Sequence, residues 1–332
     1  MKELTRDIWQ AVALSRDIGK KPRQVWWNGT PLVLFRGAEG LAALHDRCPH
    51  RHAPLSGGRV VGGSVECPYH GWRFDGAGQC TAIPGHMAET PRYRIPCLSV
   101  TETGGVVFLS EGRPEAPPYL HCMQDQGQPV RMLLVSNATR STVIDTAENI
   151  LDATHTHFTH KGLLRGLSPR RFAVNVRVTG GPGWVGADYT GEERQQGLVS
   201  ALLDGARVRT VGRYRHPGMA ELEYWGPKGL VLAMTFHLRQ ATETRVEGIG
   251  VLVGPRQGAW GWLKMQAFRP LFRIALEQDR KVLAEAFDTA RAAGNPRPLI
   301  GPLDILRTEI EAIDAGRLPE AAAAPRDLQI EL

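Results

Sequence analysis

Two short segments constrain this chain more than any other: Cys48-Pro49-His50 and, sixteen residues later, Cys67-Pro68-Tyr69-His70. Together they read C-x-H-x16-C-x-x-H, so each segment brings one thiol and one imidazole. Thiolate is a soft ligand and imidazole a borderline one. Four such groups at loop spacing predict a closed metal site held by four protein atoms. A proline follows each cysteine, and scattered core residues are a poor account of that repeat.

Two metals fit four such ligands. A [2Fe–2S] cluster of the Rieske type takes two cysteines on one iron and two histidines on the other, and each segment could supply one ligand to each iron. Structural zinc with Cys2His2 ligation is the rival. Zinc fingers group cysteine with cysteine and histidine with histidine, whereas here the two types are interleaved, which counts against zinc.

The chain has 332 residues, enough for one large or two medium domains with cores of their own. With 42% apolar and 22% charged residues, it reads as an ordinary globular protein. No apolar run approaches the length that spans a bilayer, and the start of the chain lacks a signal-peptide core. A cytoplasmic protein without a membrane partner is the expectation. Five cysteines are too few for a disulfide scaffold, and Cys80, Cys97 and Cys122 show no pairing pattern. The net charge of +6 could serve an acidic electron donor such as a ferredoxin. The basic residues are dispersed in short groups such as Arg170-Arg171, however, so a solvated surface explains them better and no nucleic-acid partner is expected.

In chain order, residues 7–17 could form a short helix on Ile8, Val12 and Leu14. Apolar runs on either side of Asn28-Gly29 predict a hairpin, and Gly104-Gly105 marks another at 98–109. A connector with Pro114, Pro117 and Pro118 suggests a boundary. Residues 131–144 look like a strand. Several strands in series from 172 to 254 predict an antiparallel sheet. Residues 265–291 predict a long helix with a possible kink at Pro270, and 303–313 a surface helix. The expected fold class is α+β: an N-terminal antiparallel β domain (1–115), a C-terminal antiparallel sheet flanked by helices (116–318), and a mobile tail (319–332).

The stretch 144–160 is the second informative one. On a helix at roughly 100° per residue, Asp145, Glu148, Asn149, Asp152, His155, Thr156, Thr159 and His160 share one arc, with His157 pointing away. A solvated face is the bland alternative, but the segment holds no Lys or Arg before Lys161, and His, Asn and Asp are poor helix-interior residues. Joint ligation by His155 and His160, five residues apart, requires the helix to end or distort between them. Asp279 sits within the apolar face of the later helix, among Phe272, Ala275, Leu276, Val282, Leu283 and Ala286. A carboxylate there needs a salt bridge or a metal. Two histidines and a carboxylate would make the facial triad of non-haem Fe(II) sites.

At both motifs the chain resembles the Rieske non-haem iron oxygenases. The resemblance includes Arg51-His52-Ala53-Pro54-Leu55-Ser56-Gly57-Gly58 and Gly71-Trp72-Arg73-Phe74-Asp75 after the two loops. It continues in Asn149-x2-Asp152-x2-His155-x4-His160 and in Gln278-Asp279-Arg280-Lys281-Val282-Leu283. Neither loop carries the extra cysteine of the respiratory-complex Rieske proteins. The resemblance implies that Cys48, His50, Cys67 and His70 hold the [2Fe–2S] cluster. It likewise implies that His155, His160 and Asp279 hold a mononuclear Fe(II), with Asp152 and Asn149 as catalytic-site residues. Asp152 would bridge a ligand histidine to a cluster histidine, His70, of a neighbouring subunit in a head-to-tail homotrimer.

The implied activity is that of a terminal oxygenase fed by a reductase, directly or through a ferredoxin. It would use O2 to hydroxylate or oxidatively demethylate a small aromatic or polycyclic substrate. The short chain is similar to the monooxygenase and demethylase branch. Cis-dihydroxylation within the family, an electron carrier without oxygenase chemistry and a zinc-stabilised binding protein are the alternatives. Val174, Val176, Trp184, Tyr224, Trp225, Met234 and Phe236 are candidates to line an apolar pocket, and no charged residue stands out as a carboxylate clamp.

Overall fold

The computed structural model describes residues 7–124, 130–163, 171–191, 207–256 and 258–332. Residues 1–6, read above for a leader, and Arg170 lie outside them. The chain divides into two units, one of residues 2–119 with 239–244 and one of 120–238 with 245–332.

Among the described residues the first unit holds ten strands: β1 (Gln10–Leu14), β2 (Arg23–Trp27), β3 (Thr30–Gly37), β4 (Gly40–His45), β5 (Arg59–Val61), β6 (Ser64–Glu66), β7 (Arg73–Phe74), β8 (Cys80–Ala82), β9 (Cys97–Thr103) and β10 (Val106–Ser110). They form a six-stranded sheet ordered β1-β10-β9-β4-β3-β2 and a four-stranded sheet ordered β5-β6-β7-β8. The Asn28-Gly29 hairpin is present, with both residues left-handed (φ 47° and 79°) as a tight two-residue turn requires. The segment expected to be helical at 7–17 is instead β1, paired with β10 and followed by a 3-10 turn at Ser15–Asp17. Ala11, Val12, Ala13 and Leu14 are all buried, a continuous apolar run that suits a strand covered on both faces. Arg239 ties its segment to this unit, with Nε donating to the Trp26 carbonyl at 3.1 Å.

The second unit is one eight-stranded antiparallel sheet ordered β11-β17-β16-β15-β14-β13-β12-β18. Its strands are β11 (Val130–Thr139), β12 (Ala173–Gly181), β13 (Trp184–Thr190), β14 (Arg209–Arg215), β15 (Met219–Gly226), β16 (Gly229–Thr242), β17 (Arg245–Pro255) and β18 (Arg326–Glu331). Among the described residues, three helices accompany it: α1 (Val143–Leu151), α2 (Gly258–Ala292) and α3 (Arg307–Asp314). α2 runs through Pro270, and its Phe268, Phe272 and Ala275 join sheet residues such as Tyr214, Phe236 and Leu252 in one core. The fold class is α+β, and among the described residues no helix is long and apolar enough to cross a membrane.

Three further expectations need correction. The strand expected at 131–144 ends at Thr139, and Thr142 caps α1 by accepting the Asp145 amide at 3.0 Å. The helix expected at the surface, α3, is a core element. Leu306, Ile310 and Ile313 recur at helical spacing and are buried. Buried Glu309 accepts from Arg326 at 3.0 Å. The tail expected to be mobile contains β18, which pairs with β12 over Ala173↔Glu331 to Val178↔Arg326. Its alternation, with Leu328 and Ile330 packed on the core, is a strand pattern that the preceding alanine run obscured.

Candidate metal centres

The two cysteine-histidine loops, between β4 and β5 and between β6 and β7, are one turn built twice. The Cys48 carbonyl accepts from the His52 amide at 2.9 Å, and the Cys67 carbonyl from the Gly71 amide at 3.1 Å. The Cys48 amide donates to the Ala53 carbonyl at 2.9 Å, and the Cys67 amide to the Trp72 carbonyl at 2.8 Å. The fourth residue after each cysteine is left-handed, His52 at φ 60° and Gly71 at φ 70°. Carboxylates brace the base of each loop. Asp46 accepts from the Ser56 amide and Gln24, each at 2.7 Å. Glu66 accepts from Arg59 and Arg73, each at 2.7 Å, and Arg73 and then Arg59 hold its carboxyl below the usual range.

The ligand types are segregated. Cys48 and Cys67 are buried in a cluster with Val33, Phe35, Leu44, Leu55, Val65 and Phe74. His70 is exposed and His50 partly so, with their rings 4.5 Å apart and His50 stacked on Trp72 at 4.8 Å. Burial pushes the Cys48 thiol up to about 11, and neighbouring Cys67 adds to the rise against the His50 amide. His50 Nδ1 is buried with no hydrogen-bond partner. Two sunken sulfurs, a pair of outward imidazoles and an orphaned ring nitrogen fit a binuclear cluster with unlike ends.

The second centre forms where α1 stops. Its C-cap, Asp152, is extended (φ −71°, ψ 120°), so the helix ends before His155 rather than between the two histidines. Asp152 then organises the next turn. Its Oδ1 accepts from the Thr154 amide at 2.6 Å and hydroxyl at 2.7 Å, and its Oδ2 from the His155 amide at 3.0 Å. The 3-10 turn His155–His157 follows and brings His160 back beside His155, ring centroids 5.2 Å apart. Ligand atoms of His155, His160 and Asp279 all lie within 4.8 Å of one another.

Asp279 Oδ1 is 3.0 Å from His160 Nε2 and 3.6 Å from His155 Nε2, yet it is buried without a hydrogen bond. The approach is close but misaligned for sharing a proton, as expected of groups that converge on a common third atom. Burial alone would lower the His155 pKa, but the carboxylates of Asp152 and Asp279 outweigh it and raise it to about 9. Burial likewise opposes ionisation of Asp279, and the two imidazoles hold it down to about 2. The cluster favours positive charge at its centre, and its two imidazoles and one carboxylate suit a divalent iron.

The triad opens on a cavity of about 140 Å³. Leu222, Tyr224, Met234, Phe236, Phe268 and Phe272 supply much of its wall. Of the seven expected pocket residues, Tyr224, Met234 and Phe236 line it; Val174 and Val176 are buried core on β12, and neither Trp184 nor Trp225 contributes. Adjacent strand residues face opposite ways, so Trp225 turns from Tyr224 and donates to Glu223 at 2.8 Å.

A model of the Rieske [2Fe-2S] domain matches residues 8–98. The chain carries a Rieske domain and is a relative of the Rieske non-haem iron oxygenases. It is 35% identical over 193 residues to the 4beta-methylsterol monooxygenase of Methylococcus capsulatus, covering 53% of this chain and 51% of that one. It is 40% identical over 111 residues to the oxygenase component of dicamba O-demethylase from Stenotrophomonas maltophilia, covering 33% of each. The chain thus spans about half or less of these curated relatives. In fold it is similar to the crystal structure of dicamba monooxygenase bound to dicamba, with a TM-score of 0.78, 23% identity, and coverage of 94% of this chain and 96% of that one.

Outside the Rieske domain, three features escaped the sequence reading. Gln278 Oε1 lies 2.8 Å from His160 Nδ1, and adjacency to Asp279 was the signal for it. Phe268 and Phe272 stack at 5.3 Å on the same stripe of α2 as Asp279, the apolar face already noted extended by one turn. Arg207 lines the cavity with its guanidinium carbon 4.2 Å from the Tyr224 ring centroid, and no local pattern marks it.

Proposed function

We propose that this chain is the terminal oxygenase component of a multi-component system, hydroxylating or oxidatively demethylating a small aromatic substrate with O2. The observation that carries the reading is the opening of the His155, His160 and Asp279 cluster onto a cavity walled by aromatic and aliphatic side chains. An electron carrier has no use for such a cavity. Its volume of about 140 Å³ supports a single-ring substrate over a polycyclic one, since a cavity near 150 Å³ lined by apolar side chains accepts benzene.

In this reading Cys48, Cys67, His50 and His70 hold the [2Fe–2S] cluster, which supplies single electrons. His155, His160 and Asp279 hold Fe(II), which supplies O2 chemistry when bound. The protein's own work is orientation and exclusion. With Nδ1 donating to the Gln278 oxygen, His160 presents its Nε2 lone pair toward Asp279. Asp152 Oδ2 stands 3.4 Å from His155 Nδ1 without a hydrogen bond between them and holds the second imidazole through the His155 amide and its charge. Asn149 presents an amide to the cavity, and the apolar wall excludes water from the reacting centre. A reductase, directly or through a ferredoxin, supplies electrons one at a time. In a head-to-tail homotrimer Asp152 would also accept from a cluster histidine of a neighbouring copy. Five cysteines without a disulfide, two of them given to the cluster, suit the reducing cytoplasm.

The test is iron and acid-labile sulfide per chain, followed by product analysis under 18O2. About three irons with two sulfides, and one labelled oxygen atom in the product or released with the methyl carbon, are expected. About two irons that ferrous reconstitution does not increase would replace the oxygenase with an electron carrier. Two labelled oxygens in a cis-diol would move the reaction to ring dihydroxylation.

A further inference from the structure

A second, smaller cavity of about 60 Å³ lies between α1, α2 and strands β11, β16 and β17. It shares a wall with the larger cavity: Asn149, Ile150, Phe236, Leu276 and Asp279 line both. A ligand carboxylate of the proposed iron site therefore borders two separate spaces.

The sequence explains why the space exists. β17 presents Val246, Gly248, Gly250 and Leu252 to the core in alternation, so two successive inward positions carry no side chain. Neighbours lean into the gap: a Cβ on Gly250 would lie 2.7 Å from Val135 Cγ2, and one on Gly248 3.0 Å from Leu238 Cδ2. The cavity is what they leave unfilled.

Its lining is mostly apolar, and most of its polar groups are engaged elsewhere. The Thr146 hydroxyl donates to the Thr142 carbonyl at 2.8 Å, and the Thr139 hydroxyl to the Arg280 carbonyl at 3.1 Å. Arg280 is engaged by Glu277 at 2.7 Å, and Asn137 Oδ1 by the Ala138 amide at 2.8 Å. The buried Asn149 Nδ2 is left without an acceptor, on the wall shared with the larger cavity. Asp279 Oδ1, likewise without a hydrogen bond, borders the same shared wall, so the unpartnered polar atoms gather on the side facing the larger cavity and the rest of the lining is apolar surface of the kind that admits apolar gases.

We propose that this second cavity is a binding site for molecular oxygen that feeds the metal centre past Asp279, while the aromatic substrate fills the larger one. The proposal rests on the oxygenase reading and adds a separate place for its second substrate. A diatomic apolar gas matches both the volume and the lining, and two spaces let O2 arrive after the organic substrate has closed its own.

The experiment is xenon pressurisation of crystals of the full chain, compared with Val246→Leu and Leu283→Phe, which enlarge two residues lining the small cavity but not the large one. Wild type should show xenon against Val246 and Leu283, and the variants should lose it. The variants should also raise the KM for O2 at least about fivefold while the KM for the aromatic substrate stays unchanged. An empty small cavity in pressurised wild type overturns the proposal. So does a variant that loses xenon yet keeps its KM for O2. Xenon in the cavity of a reconstituted protein that consumes no O2 with any aromatic tested would instead sink the oxygenase reading, and the oxygen route with it.

Discussion

His160 uses both ring nitrogens: Nδ1 meets the Gln278 amide oxygen at 2.8 Å, and Nε2 stands 3.0 Å from Asp279. A hydrogen-bond acceptor on the distal nitrogen fixes the tautomer and aims the other lone pair. Gln278→Leu should therefore lower ferrous iron affinity about 10- to 100-fold, measured as iron retained after dialysis against graded chelator. Gln278→Glu keeps an acceptor in place and should retain most of the iron. Equal losses in both would reduce Gln278 to a packing residue. At this scale the sequence was informative wherever chemistry recurs at short spacing, as in the two C-P segments and the run from Asn149 to His160. It marked Gln278 only by adjacency to Asp279 and was silent on Arg207, because their partners are supplied by the fold and not by neighbours in the chain.

Elements were legible where local signals agreed with tertiary context. Asn28-Gly29 makes its turn with both residues left-handed, and the apolar stripe of α2 was visible before Asp279 in Phe272, Ala275 and Leu276, whereas Val282 and Ala286, expected on the same face, are exposed. Elsewhere burial on both faces decided the outcome. β1 is a short apolar run that periodicity could not separate from a helix, and α3 has charged residues on one side and Ile310 and Ile313 in the core on the other. β18 provides a direct test. A mobile tail would tolerate Ile330→Asp, but Ile330 is 6% exposed within the core beneath the sheet. Burying an unpaired carboxylate there should cost at least about 3 kcal/mol, read as a fall in the urea midpoint. Gln329→Asp, on the exposed face of the same strand, should stay within about 0.5 kcal/mol of wild type.

For the molecule as a whole, the two units have separate cores, and the acid limb of stability offers a way to follow the larger one. His237 on β16 is buried, with Nε2 3.3 Å from the Leu120 carbonyl. Burial pushes its pKa down to about 4, the Leu120 carbonyl opposing and neighbouring His121 reinforcing the shift. The folded unit holds this ring neutral, whereas the unfolded chain protonates it near the ordinary histidine value. Between pH 6.5 and 4 the unfolded state binds the extra proton, so stability contributed by His237 is intact above that window and lost as pH falls through it. Moving from pH 7 to pH 5 should cost about 2 kcal/mol through this residue alone. His237→Leu leaves the Leu120 carbonyl without that partner, a penalty that does not vary with pH and lowers the curve as a whole. The informative quantity is therefore the slope. The variant's urea midpoint, monitored by a probe in the second unit, should fall less between pH 7 and pH 5 than that of wild type. Parallel slopes would mean that the ring takes up its proton in the folded state at the same pH as in the unfolded chain. Acid sensitivity would then have to be sought among the remaining histidines and the paired carboxylates.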